Sequence, residues 1–309
     1  MKRRTRRIVL ATLLAAAPAL RALPEEAPRA VRQTLDLNGL DYFVRDEGSV
    51  DGKPVLLLHG MPDDGEVWRA QIDALVARGY RVITPDLVGY GETAAPDDLA
   101  RYKTDSVAQD MLALLDRLGI PRAHLVGHDW GAGVAWGLML GAPQRLVTAT
   151  VVSVGHPDAF SIVDFKRMRW NWYMFLQANP GTAALYRSAD GRLLRELLRS
   201  HPKRDKVVAH YMDPGRLEVM LRWDAANPVA EALTAQLSGA YAQLPKVAVP
   251  TLGIWSDGDE FLWEEQVKDS GRYIAAEWRY EKIAGASHWP MLDRPAEMSR
   301  SLIDWIGRH

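Results

Sequence analysis

Apolar residues fall into short continuous runs that alternate with longer amphipathic stretches through most of the chain. The first two runs, 32–37 and 41–45, read as strands of a hairpin with Asn38-Gly39 as its turn. The run 54–58, Pro-Val-Leu-Leu-Leu, ends at His59-Gly60 and predicts a strand buried on both faces. Val67, Trp68, Ile72, Leu75 and Val76 then recur at helical spacing, predicting a helix over 66–78 that stops at Gly79. A strand over 81–85 leads into the glycine-rich turn 86–91, and the alternation continues with a helix over 104–118 ended by Gly119 and Pro121. A strand at 123–127, a helix at 131–140 and a strand at 146–154 complete this part. Strands that alternate with helices of this length make an α/β fold: a mostly parallel sheet covered by helices on both faces.

Between 156 and 244 the rhythm changes. No buried-strand pattern occurs, and arginine, tryptophan and tyrosine recur on helical spacings broken at Pro180, Pro202, Pro214 and Pro228. This predicts a helical lid over 156–245, inserted into a core formed by 31–155 and 246–309. The alternation returns with a strand at 249–255, a helix near 264–270, a strand near 278–283 and a closing helix over 295–306.

Composition narrows the function. A length of 309 residues suits one α/β core carrying an insertion. A net charge of −1 gives no nucleic-acid surface, and the absence of cysteine removes disulfides and thiol nucleophiles. At the N-terminus, Lys2, Arg3, Arg4, Arg6 and Arg7 precede an apolar run over 8–17 and then Ala17-Pro18-Ala19. Basic head, short apolar stretch and small-residue exit describe an export signal within a 1–30 extension, and the arginine pairs leave a twin-arginine route open. The run is too short for a stable membrane span. Eleven tryptophans stand against five phenylalanines. Most read as core, whereas Trp130, Trp172 and Trp289 sit beside motif residues, where flat side chains wall an apolar pocket.

Gly127-His128-Asp129-Trp130-Gly131 lies between a predicted strand and a predicted helix. A turn this tight requires glycine flanks and pushes its central residue out above the sheet, as in the G-x-S-x-G nucleophile elbow, here with aspartate in place of serine. The plain alternative is that Asp129 caps the following helix. Two further pieces follow in the order nucleophile, acid, histidine: Asp259, after the strand ending Ser256-Asp257-Gly258, and His288, in Gly285-Ala-Ser-His-Trp289. Side chains at the carboxyl ends of parallel strands converge, so Asp129, Asp259 and His288 can meet. His59-Gly60-Met61-Pro62 follows an earlier strand; the amides of Met61 and Trp130 suit an oxyanion hole, and His59, preceding the turn, reads as structural. The eight histidines show no metal-ligand spacing such as H-E-x-x-H.

These motifs resemble the epoxide hydrolase and haloalkane dehalogenase branch of the α/β-hydrolase family, and more closely the epoxide hydrolases. His59–Pro62 is similar to their H-G-x-P and Gly127–Gly131 to their G-x-D-W-G, and the likeness runs from Leu35 onward. It implies a hydrolase without cofactor or metal, acting on a small apolar organic substrate. Asp129 would form an ester with a saturated carbon, and water activated by His288 and Asp259 would cleave it. The resemblance also implies two lid tyrosines that protonate the epoxide oxygen. Counted from Pro180 the first is Tyr173; counted from Gln177 the same position falls on Trp172, and the Trp-Tyr-Met neighbours favour Tyr173. Where the second tyrosine should follow Trp223 the chain has Asp224, which burial would have to keep protonated if it is to donate. The alternatives are a haloalkane or haloacid dehalogenase, with Trp130 and Trp172 holding the halide, and a non-catalytic protein on the same fold. Met61, where dehalogenases carry asparagine, favours epoxide, and an intact Asp129, Asp259 and His288 favours an enzyme. The sequence carries no signal for an oligomeric state.

Overall fold

The computed structural model describes residues 29–160 and 168–309. The expected export signal, and residues 161–167 of the expected lid, lie outside them.

Eight strands form one sheet: β1 (Ala30–Leu37), β2 (Leu40–Glu47), β3 (Pro54–Leu58), β4 (Arg81–Pro85), β5 (Ala123–His128), β6 (Leu146–Val152), β7 (Thr251–Gly258) and β8 (Trp278–Ser287). Their order is β1-β2-β4-β3-β5-β6-β7-β8. β1 and β2 pair antiparallel around the Asn38-Gly39 turn, β2 pairs antiparallel with β4, and the remaining pairs are parallel. The central strands β4 and β5 are buried at every position, whereas the edge strand β1 alternates exposed and half-buried residues. That is the difference expected between a doubly covered strand and a solvated edge.

Helices α1 (Arg69–Val76), α2 (Thr104–Arg117), α3 (Trp130–Gly141) and the last helix, Pro295–Ile306, cover the sheet. The chain steps outward from β3 to β4 through α1, then back to β5 and β6 through α2 and α3. With right-handed crossovers this reversal puts α1 on one face and α2 and α3 on the other. The predicted helix over 66–78 is in fact a 3-10 turn, Gly65–Trp68, followed by α1, because Asp64 caps that turn by accepting from the Glu66 amide.

Between β6 and β7 the regular elements of the described residues are all helices: α4 (Trp172–Gln177), α5 (Thr182–Leu197, kinked at 188–191), α6 (Arg204–Met212), α7 (Arg216–Ala226) and α8 (Val229–Leu237), followed by irregular chain in which Val247 bridges to Ile274. After β7 come α9 (Glu264–Lys268), α10 (Pro290–Asp293) and α11 (Pro295–Ile306). No helix of the described residues is long and apolar enough to cross a membrane.

Candidate active site

Strand register assembles the site. Leu58 of β3 pairs with Gly127 of β5, so the residues just past each strand, Gly60-Met61 and Asp129, emerge side by side. Gly258 of β7 pairs with Ser287 of β8, so Asp259 and His288, one residue further on, emerge together as well.

Asp129 sits at φ 52°, ψ −122°, between β5 and α3. A non-glycine residue there is strained, and the strain aims its side chain out of the turn. Its side chain makes no helix-capping hydrogen bond, so the simple cap is excluded. The neighbouring glycines are obligatory for space: a Cβ on Gly60 would strike the Asp129 side chain, and one on Gly131 would strike the carbonyls of Leu58 and His59.

The Asp129 carboxylate has two distinct oxygens. Oδ1 accepts from the Met61 amide at 2.8 Å, and Oδ2 lies 3.4 Å from His288 Nε2. On its other side His288 Nδ1 meets Asp259 Oδ2 at 2.8 Å. Asp259 Oδ1 in turn accepts from the amides of Phe261 and Leu262 at 2.9 and 3.0 Å, which fixes the acid completely. Burial works against a charged His288, but the carboxylates of Asp259 and Asp129 outweigh it and push the imidazole up to about 10. Burial likewise works to raise Asp129, and the hydrogen bond and charge of His288 overcome it, holding the carboxyl below its ordinary range.

A cavity of about 460 Å³ opens over Asp129, within the range of small-molecule sites. Trp130, Trp136, Phe160, Met174 and Leu262 give it apolar walls, and Tyr173, Gln177 and Asp224 join the lining from α4 and α7. Tyr173 is 5% exposed and packs edge-to-face on Phe261 at 5.3 Å. Burial, then the charge of Asp129, push its phenol well above 10.0, so it stays a proton donor. Asp224 is 3% exposed, and its Oδ2 is buried without a hydrogen-bond partner among the described residues. Trp130 packs at 5.6 Å, tilted by 36°, against Trp223, whose indole donates to the Val88 carbonyl.

Two expected pocket residues lie elsewhere. Trp172 is 51% exposed and borders a separate small cleft with Leu193, Leu197 and Arg199, because the first turn of α4 turns Tyr173 inward and its neighbour out. Trp289 is 1% exposed and lines no part of the cavity; it sits behind the imidazole, with His288 at 5.0 Å and His201 at 4.4 Å between ring centroids. Of the two residues reached by the counts along α4, Tyr173 is the one that lines the cavity.

The sequence reading missed His128. Its Nε2 lies 2.8 Å from the His288 carbonyl and must donate there. Burial, then the charge of His288, lower it to about 4, which keeps the ring neutral. The motif G-H-D held this signal only as a residue type beside the nucleophile. Also missed were Phe261, 5.1 Å from the His288 ring, and the buried Arg45–Asp86 pair at 2.5 Å. Asp86 accepts from the amides of Gly65 and Glu92 and so ties the loop after β3 to the loop after β4. His59 proves structural: its Nε2 accepts from the Leu87 amide at 2.8 Å.

Comparison with known proteins finds relatives of the same fold. The family profile of the alpha/beta hydrolase fold matches residues 53–295. An AB hydrolase superfamily protein of Bacillus subtilis is 27% identical over 89% of this chain and 97% of its own. An epoxide hydrolase of Caballeronia sordidicola is 29% identical over 87% of this chain and 91% of its own. The crystal structure of an epoxide hydrolase from Vigna radiata superposes with a TM-score of 0.75 at 28% identity, covering 91% of this chain and 99% of that one.

Proposed function

The chain belongs to the α/β hydrolase fold family, and from that membership we propose that it hydrolyses epoxides of small apolar organic molecules to vicinal diols, with Asp129 as nucleophile. The observation that carries the reading is the line of contacts from Asp129 Oδ2 through His288 to Asp259, opening on a cavity that also holds the Tyr173 phenol. Relatives and a solved structure named as epoxide hydrolases support it.

In the first step Asp129 Oδ2 attacks a ring carbon. The C–O bond of the epoxide breaks as the Tyr173 hydroxyl donates a hydrogen bond to the departing oxygen, leaving an alkyl ester on Asp129. In the second, His288 takes a proton from water, whose oxygen attacks the ester carbonyl carbon; the bond from that carbon to the alkyl oxygen then breaks, and the diol leaves with the proton from His288. The Met61 amide, already on Oδ1, and the Trp130 amide hold the oxyanion that forms. Residues 156–245 act as the lid that supplies the acid and shields the ester. No observation favours halide as leaving group, since Trp172, the expected partner of Trp130, faces solvent.

A panel of epoxides and haloalkanes, with diol and halide measured separately, tests the reading. Diol without halide supports it; halide without diol overturns it. We also propose that the N-terminal segment directs export, to be tested by the mass of the mature N-terminus.

A further inference from the structure

We infer that Asp224 is a second catalytic acid of this site, giving a carboxyl proton to the oxygen that leaves the ring carbon. The inference rests on the epoxide reading above and names a donor that a second phenol would otherwise supply.

Three observations carry it. Asp224 lines the same cavity as Asp129 and Tyr173, approaching from α7 rather than from the elbow or α4. Its carboxyl is nearly fully buried, with Oδ2 unpartnered and no ion-pair partner among the described residues. The titratable groups whose charge couples to it are Asp129 from the elbow, Tyr173 from α4, Tyr186 from α5 and Tyr90 from the loop after β4, none of them a cation. Lys103, Asp105 and Glu231 line the same cavity, and Lys103 makes no ion pair with Asp224. A carboxylate in such a place is costly, so the proton stays on. Burial, then the negative charge of Asp129, raise Asp224 well above its ordinary value, while His288 holds Asp129 ionised. Two carboxyl groups bordering one cavity are thus pushed apart into a nucleophile and an acid.

The protons balance. As the Asp129 Oδ2–carbon bond forms and the ring C–O bond breaks, the ring oxygen takes the Asp224 proton and Asp224 becomes a carboxylate. Water then gives one proton to His288 and its oxygen to the Asp129 carbonyl carbon. His288 protonates the departing alcohol, and the carboxylic acid left on Asp129 passes its proton to Asp224. One epoxide and one water yield one diol.

The test is single-turnover ester formation in the full-length protein with styrene oxide as probe, quenched in acid and read by intact mass across pH. In the wild type the rate falls on the alkaline side as Asp224 ionises. In Asp224→Asn that fall disappears and the rate at neutral pH drops roughly 10- to 100-fold, with Tyr173 still donating. Asp224→Glu, which keeps the acid, restores the alkaline fall. Ester formation in Asp224→Asn at the wild-type rate and pH profile overturns the inference, as does a wild-type rate that is flat across that range. The latter needs no variant to fold. Absence of any ester on Asp129 in the wild type would instead remove the epoxide reading itself.

Discussion

His288 must be neutral to take a proton from water, yet between two carboxylates it is raised to about 10. The ester resolves the conflict. Once Asp129 is esterified it loses its charge, only Asp259 still supports the imidazolium, and His288 titrates lower than in the free protein. Ester hydrolysis is therefore expected to speed up with pH through a midpoint below about 10, measured by following decay of the covalent intermediate. Stability responds with the opposite sense. Because the folded value is raised above the ordinary 6.5, the stabilisation is complete below 6.5 and is lost as pH rises through about 10. Thermal melts should show wild type losing more stability over this window than His288→Gln. The same variant should accumulate the Asp129 ester by intact mass; unmodified protein after exposure to a confirmed substrate counts against Asp129 as nucleophile. His128 acts on this residue through its backbone. His128→Leu leaves the His288 carbonyl without its donor, at a cost of about 1–3 kcal/mol, and should slow ester hydrolysis more than ester formation.

At the scale of elements, the decisive unit is β5, the elbow and the start of α3. Gly131 packs against the carbonyls of Leu58 and His59, which are backbone and cannot rotate away. Gly131→Ala should therefore destabilise by about 1–3 kcal/mol and displace the Asp129 carboxylate from the Met61 amide. A melt and a single-turnover assay check both effects, and wild-type behaviour in each would mean the close approach is not required. The elements most legible in the sequence were those whose patterns are governed locally. Arg81–Pro85 is an apolar strand between Tyr80 and a glycine-rich turn, and Pro295–Ile306 opens on a proline at its first turn. Asp129, Asp259 and His288 were legible because each follows a strand, and strand register then brings them together. Trp172 and Trp289 were misplaced because proximity in sequence to a motif does not fix which side of a short helix faces the cavity. His128 and the Arg45–Asp86 pair were invisible for a different reason: their partners lie 160 and 41 residues away.

Across the whole molecule, the helices between β6 and β7 are fastened to the loops that carry the site. His201 Nε2 meets Asp63 at 3.2 Å, Arg222 reaches Asp97 at 2.6 Å, and Asn227 accepts from the Thr104 amide at 3.1 Å. The contact nearest the chemistry is the Tyr211 hydroxyl, which donates to the Pro62 carbonyl at 2.8 Å in a buried setting. Pro62 follows Met61, whose amide holds Asp129 Oδ1, so a phenol on α6 helps set the position of an oxyanion donor on the core. Tyr211→Phe keeps the ring and removes only that bond, leaving a buried acceptor unpaired at a cost of about 1–3 kcal/mol. Because the oxygen held by the Met61 amide carries more negative charge in the transition state for ester cleavage than in the neutral ester, the loss should fall mainly on hydrolysis of the intermediate. The variant is expected to melt earlier and to accumulate more ester at steady state than wild type. If it melts earlier but the ester level is unchanged, the helices steady the fold without tuning the oxyanion donor. If neither changes, the core loop holds Met61 by itself, through Asp86 and the Gly65 amide.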